Sequence, residues 1–404
     1  MAETILESQP DLLIDWKKSD RDDGGACDLR TEEMLVNMGP QHPSTHGVLR
    51  IVLRTDGELV LEAIPHIGYL HRCAEKIGEN LQPFQFVPTT DRLDYLAAMN
   101  NNYGFSLAVE KLAGIEVPER ARYIRVIMAE LSRIASHLVS FGCYGMDLGA
   151  FTPFLYAFRE RERILDMFEA ACGARLTCSY ITIGGVTQDL PERFCETVSE
   201  FLDYFEPKID EYNQLLTYNH IFVKRAANVG VISAEDAIRW GLTGPCLRGS
   251  GVKFDLRKSL PYDIYSRFDF EVPVGLPGGS DGIPKEVRVG DCWNRYFVRM
   301  QEMRQSVRIV RQCLEQMPAG EVKAKLPKTL KLPANEVYFE SEGARGQLGF
   351  LVVGDGSAIP YRVKVRGPCF CNLSITSHVC REVLLADVPA IIGSIDIVMG
   401  EVDR

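Results

Sequence analysis

From residue 31 onward the spacing of apolar positions changes period twice, and those changes divide the chain. "EEMLVNMG" (32–39) reads as a short strand. "VLRIVLRTDGELVLEAIP" (48–65) reads as a hairpin, because β-branched runs flank Asp56-Gly57, a favoured turn dipeptide. Between about 70 and 320 the period is helical. Thr89, Thr90 and Asp91 are expected to cap a helix that runs through "RLDYLAAMNNNYGFSLAVEKLAG" and ends near Gly114. Pro118 opens the next, in which Ile124, Ile127, Met128, Leu131, Ile134 and Leu138 form an apolar stripe. "LYAFRERERILDMFEAACG" and "PERFCETVSEFLDYFEPKIDEYNQLL" are further amphipathic segments. "DCWNRYFVRMQEMRQSVRIVRQCLEQ" carries Trp293, Tyr296, Met300, Met303, Val307, Val310 and Leu314 as its stripe. Beyond about 325, "EVYFES", "GQLGFLVVGDGSAIPYRVKVRG" and the final "GSIDIVMGEVDR" read as strands and turns. "VGLPGGSDGIPKEVRVG" (274–290) reads as an exposed loop.

The expected class is α+β: a mainly helical-bundle core with small β units from both chain ends. The expected divisions are a loose polar arm (1–30), an N-terminal β unit (31–68), a helical core (69–325) and a C-terminal α+β segment (326–404), packed as one unit.

Charge and cysteine usage narrow the function classes. With 45 basic against 55 acidic residues, the net charge of −10 argues against general nucleic-acid binding. The N-terminal stretch has no apolar secretory region and is too acidic for a transit peptide. The most apolar window, "EVLLADVPAIIGSIDIVMG", is broken by Asp387, Pro389 and Asp396, so no self-contained membrane span is expected. The twelve cysteines include no CxxC; they read mostly as reduced core thiols, with no metal bound by this chain.

Candidate chemistry lies in polar groups on apolar elements. "GPQHPSTHGVLR" (39–50) places two of the seven histidines, His42 and His46, in a loop stiffened by Pro40 and Pro43. "DRLDY" carries Asp91, Arg92, Asp94 and Tyr95; "GCYGMDLGAF" carries Cys143 and Asp147. "GYLHRCAEK" carries His71, Arg72, Glu75 and Lys76, and "GPCLRGSGVKFDLRK" carries Arg248 and Arg257. Each has a structural reading too: loop hydrogen bonds for the histidines, a cap for Asp91, a core contact for Tyr95, surface ion pairs for "HRCAEK" and a satisfied core site for His137. No nucleotide-binding loop or Ser–His–Asp signature is present.

Together, "GPQHPSTHGVLR", "GYLHRCAEKIGEN", "DRLDYLAAMNNNYGFSLAVEKLAGIEVPERARYIR", "GPCLRGSGVKFDLRK", "DGSAIPYRVKVRGPCF" and "GSIDIVMGEVDR" closely resemble the 49-kDa-type (D-type) subunit family of NADH:quinone oxidoreductase, respiratory complex I. The resemblance implies a [NiFe]-hydrogenase large-subunit-like fold. It implies that the quinone headgroup lies between His46 and Tyr95, with Asp147 paired to His46 and with Cys143, Asp91 and Asp94 as neighbours. A histidine (pKa ~6.5) and a tyrosine (~10) can each donate one of the two protons that quinone reduction needs. His42, Arg72 and Arg92 are expected near an iron–sulfur cluster held by a small subunit of the B type. NADH, FMN and the iron–sulfur clusters belong to partner subunits. Further expected partners are subunits of the C, I and membrane H types, on the cytoplasmic side of a bacterial inner membrane, coupled to proton or sodium translocation. The hydrogenase reaction itself is excluded: its four metal-binding cysteines fall on Asp94, Ala97, Val398 and Glu401. A purely structural subunit is the remaining alternative. Two departures stand out. Thr177 occupies a place where many members carry histidine, and Cys143 one where threonine is common; the loop over 275–289 is also longer than usual.

Overall fold

The computed structural model describes residues 33–280 and 282–404; the expected N-terminal arm, with Cys27, lies outside the described residues. Strands β1 (Glu33–Met38), β2 (Arg50–Asp56) and β3 (Leu59–His66) form an antiparallel meander in which Val36 faces Leu53 and Leu53 faces Ala63. Alternation along β2 and β3 buries Ile51, Leu53, Val60 and Ala63. Gly57 turns the hairpin at φ 59°, a conformation glycine adopts without strain. A fourth strand from near the C-terminus (Val383–Leu384) pairs with β3.

Two short helices follow, α1 (Ala74–Gly78) and α2 (Pro83–Thr90). The expected cap at Thr89–Asp91 is therefore displaced: these residues end α2, and the next helix, α3 (Ala98–Ala113), begins seven residues after Asp91. Pro83 opens α2 at a position where its missing N–H costs nothing. Asp94 stabilises the intervening turn, its Oδ1 accepting the N–H groups of Leu96 (3.2 Å) and Ala97 (3.3 Å).

Helix α4 (Glu119–Asp147) is the centre of the molecule, packed against α3, α5 (Thr152–Cys172) and, later in the chain, α11 (Cys292–Gln316). By length and composition it could cross a membrane, but 94% of its most apolar window is buried inside the fold, as suits a core helix. After it come the two-residue strands β4 (Ile181–Thr182) and β5 (Gly185–Val186), then α6 (Phe194–Tyr212), α7 (His220–Ala226), α8 (Ala234–Arg239), α9 (Gly244–Gly249), α10 (Leu256–Ser259) and α11 (Cys292–Gln316). The segment over 274–290 is not simply an exposed loop. It buries Gly275, Ile283, Val287 and Gly290, and the Asn294 side chain on α11 holds both the N–H and the carbonyl of Leu276.

Strands β6 (Glu336–Gly343), β7 (Gly346–Val353) and β8 (Arg362–Arg366) form an antiparallel sheet. It closes over α2 and α3 through Phe86, Phe105, Val109, Phe350, Val352 and Val365. The rest of the chain is mainly helical: α12 (Pro368–Leu373), α13 (Thr376–Val379), the short β9 (Val383–Leu384), α14 (Val388–Ile395) and α15 (Met399–Asp403), so the final "GSIDIVMGEVDR" is helical where strands and turns were expected. Helix α14 is buried on nearly every side and is only eight residues long, and so short an apolar run reads equally as strand or helix.

Candidate functional site

His46 follows a 3₁₀ turn, Pro43–Thr45, and takes the left-handed conformation at φ 48°. His42 precedes the turn, and its Nδ1 accepts the Ser44 N–H at 3.2 Å. Pro43 and this bond fix the loop's entry, and contact with α14 fixes its far side. The His46 imidazole then meets the last residue of α4: its Nε2 lies 3.3 Å from Asp147 Oδ2, across 101 residues of sequence. The two side chains are 13% and 7% exposed, so the contact is shielded yet open at one edge. Asp147 places a carboxylate at the negative end of α4, where a cationic neighbour is favoured. Gly393 on α14 leaves room for it; a Cβ there would stand 2.7 Å from Asp147 Oδ2.

Tyr95 lies in the turn before α3 and is 37% exposed. The packed part of its surroundings raises its pKa above the ordinary tyrosine value, partly offset by the charge of Arg345. Arg345 links this side to the histidine side. Its Nη1 donates to Asp94 Oδ2 (2.6 Å) and Ser136 Oγ (2.8 Å), and its Nε donates to the Asp396 carbonyl (3.0 Å). The Asp396 carboxylate is held below the usual range by Arg345, Arg299 and His46, which outweigh the burial that opposes ionisation. Cys143 has its thiol pushed up to about 12 by burial and by the charges of Asp396 and Asp147, so it is a neutral neighbour. Glu401 is buried, accepts the Cys369 N–H at 3.0 Å and is raised to about 7 by burial and by the Asp94 charge.

The structure also brings Arg72 and Arg92 together: the Arg72 Nη2 donates to the Arg92 carbonyl at 2.6 Å and to that of Gly400 at 3.3 Å. Asp91 is buried, and its Oδ2 accepts the Ser179 N–H (3.0 Å) and hydroxyl (2.5 Å), which ties the "DRLDY" turn to the segment holding Thr177. Thr177 and Cys178 line a small pocket with Tyr95. Among the described residues, no group of three or more His, Cys, Asp or Glu side chains is arranged to hold a metal ion.

Sequence reasoning gave no site role to Arg345, Asp396, Arg299 or Glu401, and it missed most of a buried ion-pair network behind them. In that network Glu302 meets His137 (2.9 Å) and Arg248 (2.6 Å), Arg248 meets Glu342 (2.8 Å), and Arg257 bridges Asp255 (2.7 Å) and Glu130 (3.1 Å). A usable signal existed. Glu130, Arg133 and His137 recur at helical spacing inside the apolar stretch of α4, where unpaired charge would be costly. His137 is a core histidine, as expected, but only half satisfied: its Nε2 meets Glu302, its Nδ1 has no partner, and burial holds its pKa down.

The family described as "Respiratory-chain NADH dehydrogenase, 49 Kd subunit" matches residues 147–332 and 325–404, and the chain belongs to that family. It is 54% identical to the D-type subunit of the NADH-quinone oxidoreductase of Chlorobium luteolum, over 93% of this chain and 95% of the relative. The corresponding subunits from Desulforamulus reducens and Chlorobium phaeovibrioides are 53% and 51% identical, over 93% and 100% of this chain and 99% and 100% of theirs.

Proposed function

We propose that this chain is the quinone-reducing core subunit of a proton-translocating NADH:quinone oxidoreductase. The observation that carries the reading is the His46–Asp147 contact at 3.3 Å, built between a preset loop and the end of the central helix. Family membership and the names of the relatives supply the reaction; the side chains supply the acid chemistry.

The reduction of a quinone to a quinol takes two electrons and two protons. An iron–sulfur cluster in a partner subunit supplies the electrons. Tyr95, with its pKa raised, keeps its proton at neutral pH and donates it to one quinone oxygen as charge develops there. Arg345 opposes that rise and so stabilises the tyrosinate left behind. His46 donates to the other oxygen, and Asp147 orients the imidazole and stabilises its protonated form. Asp91, Asp94 and Cys143 shape and polarise the pocket; His42, Arg72 and Arg92 border the partner's cluster. NADH and FMN bind elsewhere in the complex. Partners of the B, C, I and membrane H types would hold this peripheral subunit at the cytoplasmic face of a bacterial inner membrane.

Asp147→Asn tests the reading, because it keeps the side chain's shape and removes its charge. The expected result is a fall in quinone reduction of about 10²-fold with normal subunit content in the complex. Full activity would remove the His46–Asp147 pair from the mechanism.

A further inference from the structure

The end of α5 brings two thiols to one atom. The Cys172 Sγ lies 3.0 Å from the Phe168 carbonyl oxygen and 3.4 Å from that of Ala174. The Cys178 Sγ lies 3.5 Å from the same Ala174 oxygen. Sharing that oxygen keeps the two sulfurs within about 7 Å of each other. They lie across a short segment that holds Gly173 and Thr177, both in the left-handed conformation, as is Ser179 just beyond it. Cys172 is half-buried and Cys178 buried. The mechanism above uses neither thiol.

Their environments differ in a way that suits an attacking and a resolving thiol. The neighbouring Cys178 thiol pulls the Cys172 pKa down to about 7, and the same proximity, with burial, pushes Cys178 up. The half-buried thiol of Cys195, at the start of α6, is instead raised by burial. The thiolate is the nucleophile, so an oxidant finds Cys172 first.

We propose that Cys172 and Cys178 form a reversible dithiol–disulfide modification site whose oxidant is a hydroperoxide. The Cys172 thiolate attacks the terminal peroxide oxygen, the O–O bond breaks, and a sulfenic acid forms with release of hydroxide from hydrogen peroxide, or of the alkoxide from an organic hydroperoxide. The Cys178 thiol then attacks that sulfur; the S–S bond forms, the S–O bond breaks, and its proton leaves with the oxygen as water. The pair loses two electrons and the peroxide gains them. Because Cys178 and Thr177 line the pocket that holds Tyr95, and Ser179 holds Asp91, the bridge is placed to act on that site.

The test is peptide mass analysis of the intact complex after graded hydrogen peroxide, with alkylation of the remaining thiols. A Cys172–Cys178 cross-link that forms about tenfold faster than any oxidation of Cys195, and that dithiothreitol reverses, is expected. In a Cys178→Ser variant the resolving thiol is gone, so Cys172 should accumulate as a dimedone-reactive sulfenic acid. Two alkylatable thiols after exposure that oxidises Cys195 would overturn the proposal. So would a Cys178→Ser protein whose Cys172 never reacts with dimedone. Neither readout depends on quinone activity.

Discussion

Arg345 carries more of the site than any residue the motifs single out. It is buried and bonded to Asp94, Ser136 and Asp396, so it sets the charge around Tyr95 and the position of the Asp396 segment near His46. Replacing one member of such a buried set strands the others, and Arg345→Met is expected to destabilise the chain by about 3–5 kcal/mol, measurable by chemical denaturation. Glu401 makes the opposite kind of prediction. Its folded pKa is raised to about 7, so the folded state holds a proton that the unfolded state releases near ~4.3, and stability falls as pH rises between those values. Glu401→Gln keeps the acceptor for the Cys369 N–H and removes the titration. It should raise the melting temperature at pH ~8 and change it little at pH ~4; equal effects at both would contradict the assignment. Thr177, where many members have histidine, has no group that titrates near neutrality. Under the proposed function, the potential of the partner's iron–sulfur cluster is expected to vary little with pH, and redox titrations with the usual slope would count against that. That His46 and Asp147 meet was legible in the sequence, because motif-length matches carried both residues. Arg345 and Asp396 were not, because they come from a β-turn and a helix end far along the chain, and only folding reveals what they face.

Among the elements, α14 bears on the site from behind. Its Gly393 faces Asp147 and Tyr144, and a Cβ there would stand 2.7 and 2.8 Å from them. Gly393→Ala is therefore expected to displace Asp147 from His46 and lower quinone reduction by about tenfold, with a smaller loss of stability, although Gly393 itself donates nothing. Unchanged turnover in that variant would show that the His46–Asp147 geometry is not needed. The amphipathic helices α5 and α6 and the first hairpin were legible because one face of each meets water, whereas α4, buried along most of its length, was legible from its long apolar stripe after Pro118. The short helices α12 to α15 were not, since four to eight residues are too few to establish a period. The start of α3 was misplaced for another reason: Thr89–Asp91 look like a cap, but Pro83 starts an earlier helix that consumes them.

At the scale of the whole molecule, the chain closes on itself. The strand Val383–Leu384 completes the N-terminal sheet, the Arg404 carbonyl accepts the Arg72 N–H at 3.1 Å, and Asp403 accepts the N–H groups of Gly68 (2.8 Å) and Leu70 (2.7 Å). The site thus rests on contacts between the two ends of the described chain. The buried network behind it gives the fold a defined acid limit. Asp255 is held at about 2, because Arg257 and Arg248 outweigh its burial, and Glu130, Glu302 and Asp396 are also lowered. Carboxyls with depressed folded pKa values contribute stability above their ordinary values of about 4, and that contribution is lost as pH falls toward the folded values. The melting temperature should drop steeply between about pH 4 and about pH 2, and a flat profile across that window would show that the network is not ionised.

The most direct measurement is made on the intact complex carrying Tyr95→Phe, which removes one hydroxyl and little else. NADH:quinone activity is compared with NADH:ferricyanide activity, which needs only the flavin end. Loss of quinone reduction with a normal ferricyanide reaction and normal subunit content is the predicted result. Quinone reduction that survives intact, or that falls only in step with the ferricyanide reaction, would contradict the role given to Tyr95.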